Sequence, residues 1–455
     1  MISARMNISN PASLVFPLDE PLPLGMPLSL REIRSSWLAI APEQGAWFVT
    51  DNPGKLLLGR LRTGESPLSS VVSTSLESGV HPTVLLASLH RLVRQIYLAG
   101  LLSPETWQDE STLVVRCLHV YATSQCNLRC RHCYRAPQRA HGAELTTAEI
   151  LEVFREFCRL AGPANVVLSG GEPLMRDDLF TLLEAAASIG HQVALFTNGT
   201  HLDEATLSAI APWVASIQIS LDGASAAGHD AVRGTGAFAR TAKAIQLVGK
   251  FGIPLDVAVT VNPDNFEDLL QNTVRLAAFL APTRAHIRVA VVQPAGQALL
   301  SWSDVCSPGL VKAAEQLTRR LTIQPGIAEA AYRTPRRRIS CGYGPGLHLD
   351  SDGTVYVCRE IEGFAVGNIR EIPFSLAYER VQVQYRATTV DTIEECRGCD
   401  LRHICSGGCR IQNKILYGDP RKPSCTAASR ADVYHQLYDV AMAADDEEEN
   451  DHEEP

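Results

Sequence analysis

Apolar and polar positions change rhythm several times along the chain. Residues 1–27 have no clear period and carry four prolines between Pro17 and Pro27, which reads as a flexible lead-in. From Leu28, the short apolar runs SWLAI, AWFVT and KLLLGRL alternate with turn signals at Pro42 to Gly45 and at Asp51 to Gly54. That pattern predicts a small antiparallel unit. Helical spacing follows near 67–77 and 82–99. In the second stretch Leu85, Leu86, Leu89, Leu92, Val93, Ile96 and Leu98 recur mostly three and four residues apart, and Gly100 offers a C-terminal cap. Residues 28–102 therefore read as a winged-helix-like domain.

From Leu113 the pattern becomes β-type runs separated by helical ones. Strands are predicted at 113–122, 165–168, 192–197, 216–221, 255–261 and 286–292, with helices near 147–160, 177–189, 203–210, 237–250 and 265–280. Such alternation implies an α/β fold with a parallel sheet over 113–300, either a partial barrel or an open doubly wound sheet. In either case the site is expected at the C-terminal ends of the strands, where the loops collect. After about residue 300 the alternation stops and cysteines accumulate, so 335–435 reads as a domain organised by metal. No run approaches the roughly 18 apolar residues of a membrane helix, and the N-terminus lacks a secretory pattern. A cytoplasmic protein with no membrane contact is expected.

Composition sharpens this picture in two places. The chain has 455 residues with a formal charge of −9, but the last eleven hold eight acids and no Lys or Arg, so 1–444 sum to −1. A nearly neutral body speaks against nucleic-acid binding by phosphate neutralisation, and 445–455 reads as an acidic disordered tail. Thirteen cysteines in a reducing compartment point to metal rather than disulfides.

The chemistry begins at CNLRCRHC, with Cys126, Cys130 and Cys133 just after the first strand of the alternating region. Soft thiolates select zinc or iron–sulfur clusters. Three of them on one loop suit a cubane with one iron left open, whereas structural zinc takes four ligands and would have to recruit His132. The spacing resembles that of the radical S-adenosylmethionine (SAM) enzymes. The resemblance implies a partial (β/α)6 barrel and a 4Fe-4S cluster whose open iron chelates SAM. One electron then cleaves the C5′–S bond, and a 5′-deoxyadenosyl radical takes a substrate hydrogen. It further implies that Gly170, Gly171 and Glu172 of LSGGEP lie near the methionine amino group. Ser220 and Asp222 of ISLDG lie at the end of the fourth strand, and Arg233 of HDAVRG would meet the methionine carboxylate. Asn198 of FTNG and Thr260 and Asn262 of VTVN would touch ribose or adenine; a loop-capping hydrogen bond is the alternative for each.

Cys341, Cys358, Cys396, Cys399, Cys405, Cys409 and Cys425, with Gly353, resemble the SPASM extension of radical SAM enzymes that modify peptides and proteins. This implies two auxiliary 4Fe-4S clusters, one on Cys396, Cys399, Cys405 and Cys425, the other on Cys341, Cys358 and Cys409. No further cysteine precedes Cys341 closely, so the second cluster either keeps an open iron or recruits Cys306. Residues 28–102 resemble the PqqD-like modules that bind the leader of ribosomally made precursor peptides, with 55–61 and the Leu85–Leu98 helix as the receiving surface. The combination implies a peptide maturase that installs a thioether or carbon–carbon cross-link, with a flavodoxin or ferredoxin as electron donor. The alternative is an enzyme acting on a folded protein residue or a cofactor precursor, as in sulfatase-type or heme-type maturation.

Overall fold

A computed structural model of the chain describes residues 16–102, 115–135, 143–303, 305, 307–322, 337–341, 346–358 and 365–450. Most of the lead-in, Cys306 and residues 451–455 lie outside the described residues. Two compact units result. One is formed by Met1–Leu113, Ala331–Gly344 and Arg386–Pro455, the other by Val114–Ala330 and Pro345–Tyr385.

In the first unit β1 (Ser29–Ile33), β2 (Ser36–Ala41) and β3 (Ala46–Thr50) form an antiparallel sheet in that order. The run KLLLGRL, read above as a strand, is helix α1 (Asn52–Arg62), and the third strand is instead β1. The reason is local: Asp51 caps the helix by accepting from the Gly54 amide at 2.7 Å, and Pro53 is pre-set for the first turn. Leu57, Leu58 and Leu61 then share one buried face. Helices α2 (Pro67–Ser78) and α3 (Pro82–Leu98) follow the helical spacing, and their apolar faces close a core with Ala39, Phe48 and Leu58.

The second unit is built on β4 (Cys117–Thr123), which leads into α4 (Thr147–Ala161). Strand β5 (Asn165–Gly170), helix α5 (Leu179–Ser188), β6 (Gln192–Thr197), α6 (Glu204–Ile210) and β7 (Ser216–Ser220) continue the alternation. Then come α7 (Ala226–Arg233), α8 (Ala237–Phe251), β8 (Leu255–Val261), α9 (Phe266–Gln271), α10 (Thr273–Leu280) and β9 (His286–Val291). The six strands are parallel neighbours in sequence order. The single helix expected at 265–280 is two, and α7 was not anticipated.

The alternation does not end at residue 300. After α11 (Gln297–Ser301) and α12 (Pro308–Thr322), strand β10 (Gly346–Leu349) lies parallel to β4. The antiparallel strands β11 (Thr354–Tyr356) and β12 (Ala365–Asn368) extend that edge, giving a nine-stranded sheet in the order β12-β11-β10-β4-β5-β6-β7-β8-β9. The sheet is mostly parallel and does not close. Helix α13 (Phe374–Ala387) latches the added strands: the Tyr385 hydroxyl donates to the Gly346 and Val357 carbonyls at 3.0 and 3.1 Å. These strands fall within the span read as the metal-organised domain, because β10 completes its hydrogen bonding on a strand more than two hundred residues earlier.

The rest of the first unit is C-terminal and helical. Helix α14 (Arg402–Cys405) ends on Cys405, α15 (Arg410–Tyr417) starts just after Cys409, and α16 (Ala427–Asn450) follows Cys425. Ile33, Leu38, Ile40, Trp47 and Val49 of the N-terminal sheet pack against Leu401, Ile404, Leu437 and Tyr438, so both faces of that small sheet are covered. Helix α16 runs to Asn450, into the segment read as an acidic tail. Among the described residues no helix is long and apolar enough to cross a membrane.

Candidate active site

Strand β4 delivers the chain to the Cys126–Cys133 loop, and backbone contacts fix its start. The Gly171 amide donates to the Thr123 carbonyl and the Glu172 amide to the Gln125 carbonyl, both at 2.8 Å. A Cβ on Gly170 or Gly171 would overlap the Thr123 or Gln125 carbonyl, so this approach requires glycine at both positions. Glu144 accepts from the Ser124 amide and hydroxyl, each at 2.7 Å, and Arg176 donates to the Ala122 carbonyl at 2.6 Å. Glu172 is fully buried and accepts from Thr197 Oγ1 at 2.7 Å and the Asn198 amide at 2.8 Å. The LSGGEP segment thus ties the cysteine loop to the end of β6 through its backbone and one carboxylate.

The three thiols gather around Leu128 and Ala237. The Leu128 amide donates to Cys126 Sγ at 3.4 Å, and Arg233 Nη1 stands 3.9 Å from Cys130 Sγ. Burial pushes the Cys130 thiol up to about 11, with Arg233 opposing and the neighbouring thiols adding to the rise. Metal ligation discharges such thiolates, so the donor set fits an iron–sulfur cluster. His132 engages the residues behind the loop. Its Nε2 lies 3.5 Å from Asp222 Oδ2 and 3.4 Å from Arg233 Nη2. Among the described residues no three His, Cys, Asp or Glu side chains close around a single metal ion.

Behind the loop, Arg233 Nε donates to Asp222 Oδ2 at 2.5 Å, and both side chains are buried. Asp222 Oδ1 accepts from the Thr260 amide at 2.7 Å, while its own amide donates to His229 Nδ1 at 3.1 Å. Burial would raise the Asp222 carboxyl, but Arg233, then His132 and His229, outweigh it and hold it low. Burial lowers His132 and His229 to about 4, so both imidazoles are neutral near pH 7. Of the residues read from sequence, Gly170, Gly171, Glu172, Arg233 and Thr260 surround this loop or its Asp222 support. Asn198 donates to Asn127 Oδ1 at 2.9 Å, beside Cys126. Asn262 caps its own turn by donating to the Thr260 carbonyl, and Ser220 ends β7 half-buried. Asp222 reads from sequence only as a strand-end residue and His132 only as a fallback zinc ligand; the structure places both against Arg233 behind the loop.

Burial, the largest influence, raises the Cys396, Cys399 and Cys405 thiols, with the neighbouring Cys425 adding to each rise and Cys396 pushed up to about 12. Cys341 and Cys409 flank Arg410, whose guanidinium donates to the Thr388, Gly408 and Ser406 carbonyls. Cys358 follows β11 in the other unit.

Comparison with known proteins agrees with this geometry. A model of the Radical SAM superfamily matches residues 120–274. The AdoMet-dependent heme synthase of Methanosarcina barkeri is 30% identical over 67% of this chain and 94% of its own length. The PqqA peptide cyclase of Ruegeria pomeroyi is 32% identical over 71% and 90%. The structure of Streptococcus suis SuiB bound to precursor peptide SuiA superposes with a TM-score of 0.53 at 14% identity, covering 90% of this chain and 99% of that one. That of anSMEcpe with bound AdoMet gives 0.52 at 17% identity, over 72% and 97%.

Proposed function

The chain belongs to the radical SAM superfamily and is an enzyme, and from that premise we propose that it is a maturase of a ribosomally synthesised peptide. Membership implies a 4Fe-4S cluster and SAM, which together supply a 5′-deoxyadenosyl radical when bound. Cys126, Cys130 and Cys133 would hold the cluster. Arg233, held by Asp222, would meet the methionine carboxylate, with Gly170 to Glu172 beside its amino group, Ser220 among the SAM-binding residues, and Asn198, Thr260 and Asn262 toward the nucleoside. Cys396, Cys399, Cys405 and Cys425 would hold one auxiliary cluster, and Cys341, Cys358 and Cys409 another.

The observation that carries the peptide reading is the small sheet beside the C-terminal cysteines. Its faces are both covered, so β1 and β3 offer only their edges, the geometry of peptide capture by strand addition. The expected receiving surface moves accordingly, since 55–61 is α1. The similarity to PqqA peptide cyclase supports this reading, and the leader would raise the local concentration of the segment to be modified. The similarity to AdoMet-dependent heme synthase supports the second reading, a cofactor precursor as substrate.

The test is anaerobic turnover of the reconstituted protein with SAM, a strong reductant and a peptide encoded beside the gene. We expect 5′-deoxyadenosine and a peptide lighter by two hydrogens from the wild type and neither from a C126A/C130A/C133A triple variant. Deoxyadenosine formation with every neighbouring peptide left unchanged would remove the peptide reading and keep the family assignment.

A further inference from the structure

One face of the large sheet is sealed by helices: Leu118, Val120, Leu347 and Leu349 are wholly buried there. The opposite face carries His119 and Tyr121 of β4, Phe196 of β6 and His348 of β10. His119 stacks on Tyr121 and His348 with ring centroids 4.6 and 5.0 Å apart and meets Phe196 edge-on at 5.6 Å. Arg135, two residues beyond Cys133, turns back onto this face, its guanidinium 4.7 Å from the Tyr121 ring centroid. Arg135 Nη2 donates to Asp350 Oδ1 at 2.8 Å, and the residue is only 3% exposed. Yet its Nε and Nη1 are buried with no hydrogen-bond partner, and so is His119 Nε2.

Leaving a buried donor unmade costs about 1–3 kcal/mol, more when it is charged. The contrast with Arg410, whose three nitrogens all donate to carbonyls, shows how this chain satisfies a guanidinium that only braces a loop. The nitrogens left over around Arg135 can all donate, so the missing partner is an acceptor. Asp350 already offsets one positive charge, which disfavours a dianion such as phosphate, whereas the two oxygens of a carboxylate can meet one free Arg135 nitrogen and His119 Nε2 separately. Burial, helped by His348 and Arg135, keeps His119 neutral and able to donate.

We propose that Arg135, held by Asp350 and flanked by His119, is the receptor for a carboxylate on the substrate, positioned beside the cluster loop. The inference rests on the peptide reading for its source: an acidic side chain of the segment being modified. Because a carboxylate can equally come from a tetrapyrrole propionate, the test carries both.

The affinities of three probes for the SAM-loaded holoenzyme are measured by anaerobic calorimetry. They are a pentapeptide with one central Glu blocked at both ends, its Gln counterpart, and coproporphyrin. R135Q and R135K are compared with the wild type, with iron content and circular dichroism measured as controls of folding. We expect the Glu peptide to bind wild type about tenfold or more tightly than the Gln peptide, the ratio expected for one charge-assisted contact. R135Q should erase that preference, and R135K should keep part of it. Arg135-dependent binding of coproporphyrin without Glu/Gln discrimination would uphold the carboxylate receptor and overturn the peptide source. If the wild type shows no preference for Glu over Gln and coproporphyrin binds wild type and R135Q alike, the receptor itself is refuted. The Glu/Gln comparison uses the wild type alone, and the coproporphyrin arm is read only on R135Q that matches the wild type in iron content and circular dichroism.

Discussion

Two residues show how closely the cysteine loop depends on its surroundings. Gly171 has no room for a Cβ because the Gln125 carbonyl occupies that space, and the obstacle is backbone rather than a flexible side chain. G171A should therefore displace the residue before Cys126, and we expect a large loss of iron at the first site, read by iron and sulfide content, with the fold retained by circular dichroism. His229 makes a pH prediction. Its folded-state value is lowered to about 4 by burial, with Arg233 adding to the fall and Asp222 opposing it, against about 6.5 in an unfolded chain. The unfolded state binds the proton first, so stability is full above about 6.5 and falls as the pH drops toward about 4, by about 3 kcal/mol. H229N keeps an acceptor for the Asp222 amide and has no such titration. Denaturant midpoints should show a smaller acid loss in the variant, and parallel pH curves would remove His229 as the cause. The cysteines, the paired glycines and Arg233 were legible because their chemistry is carried by short spacings. His119, His348 and Arg135 were not, since Tyr121 and His348 lie 227 residues apart in sequence and meet only once β4 and β10 pair.

At the scale of elements, the boundaries of β6 and β8 matched the apolar runs because each alternates a sealed helix-facing side with a half-buried one. The error at 55–61 has a physical source: three consecutive leucines suit a buried strand or a helix equally, and only the cap decides. Asp51 is that cap, and it also accepts from Ser88 Oγ at 2.8 Å and Arg91 Nη2 at 2.6 Å, tying the start of α1 to α3. D51A should cost about 1–2 kcal/mol, read from denaturant midpoints, with D51N recovering part of it. The C-terminal helices were not legible: α14 and α15 are four and eight residues long between thiols, too short to show a period, and α16 runs on into the acidic end of the chain. Their attachment is also polar. Asp400, next to Cys399, accepts from Ser29 Oγ at 2.7 Å, Arg31 Nε at 2.9 Å and the Tyr434 hydroxyl at 2.5 Å.

For the whole molecule, linear reading fails because the first unit is assembled from both ends of the chain. Sequence pattern shows that residues 28–102 have a core, but not that Ile33, Leu38, Trp47 and Val49 form a second apolar face on the same sheet. Those alternate positions look like ordinary strand residues until Leu401, Ile404 and Leu437 are placed against them. Residues of the N-terminal sheet cover part of the C-terminal cysteine region, so the two ends of the chain do not separate cleanly. Deleting residues 1–102 uncovers Leu401, Ile404, Leu437 and Tyr438, at about 1.5–3 kcal/mol for each large side chain returned to water. It also removes Ser29 and Arg31, two partners of the Asp400 carboxylate beside Cys399. Supports of the Cys126–Cys133 loop lie within the second unit, since Glu144, Arg176 and Asp222 all belong to it. The deletion variant should therefore retain a SAM-responsive cluster signal by electron paramagnetic resonance while losing the iron assigned to Cys396, Cys399, Cys405 and Cys425, and it should aggregate on gel filtration. A monodisperse variant with full iron loading would show that the C-terminal cysteines fold without their N-terminal cover, and loss of peptide binding in that background would then report on the leader alone.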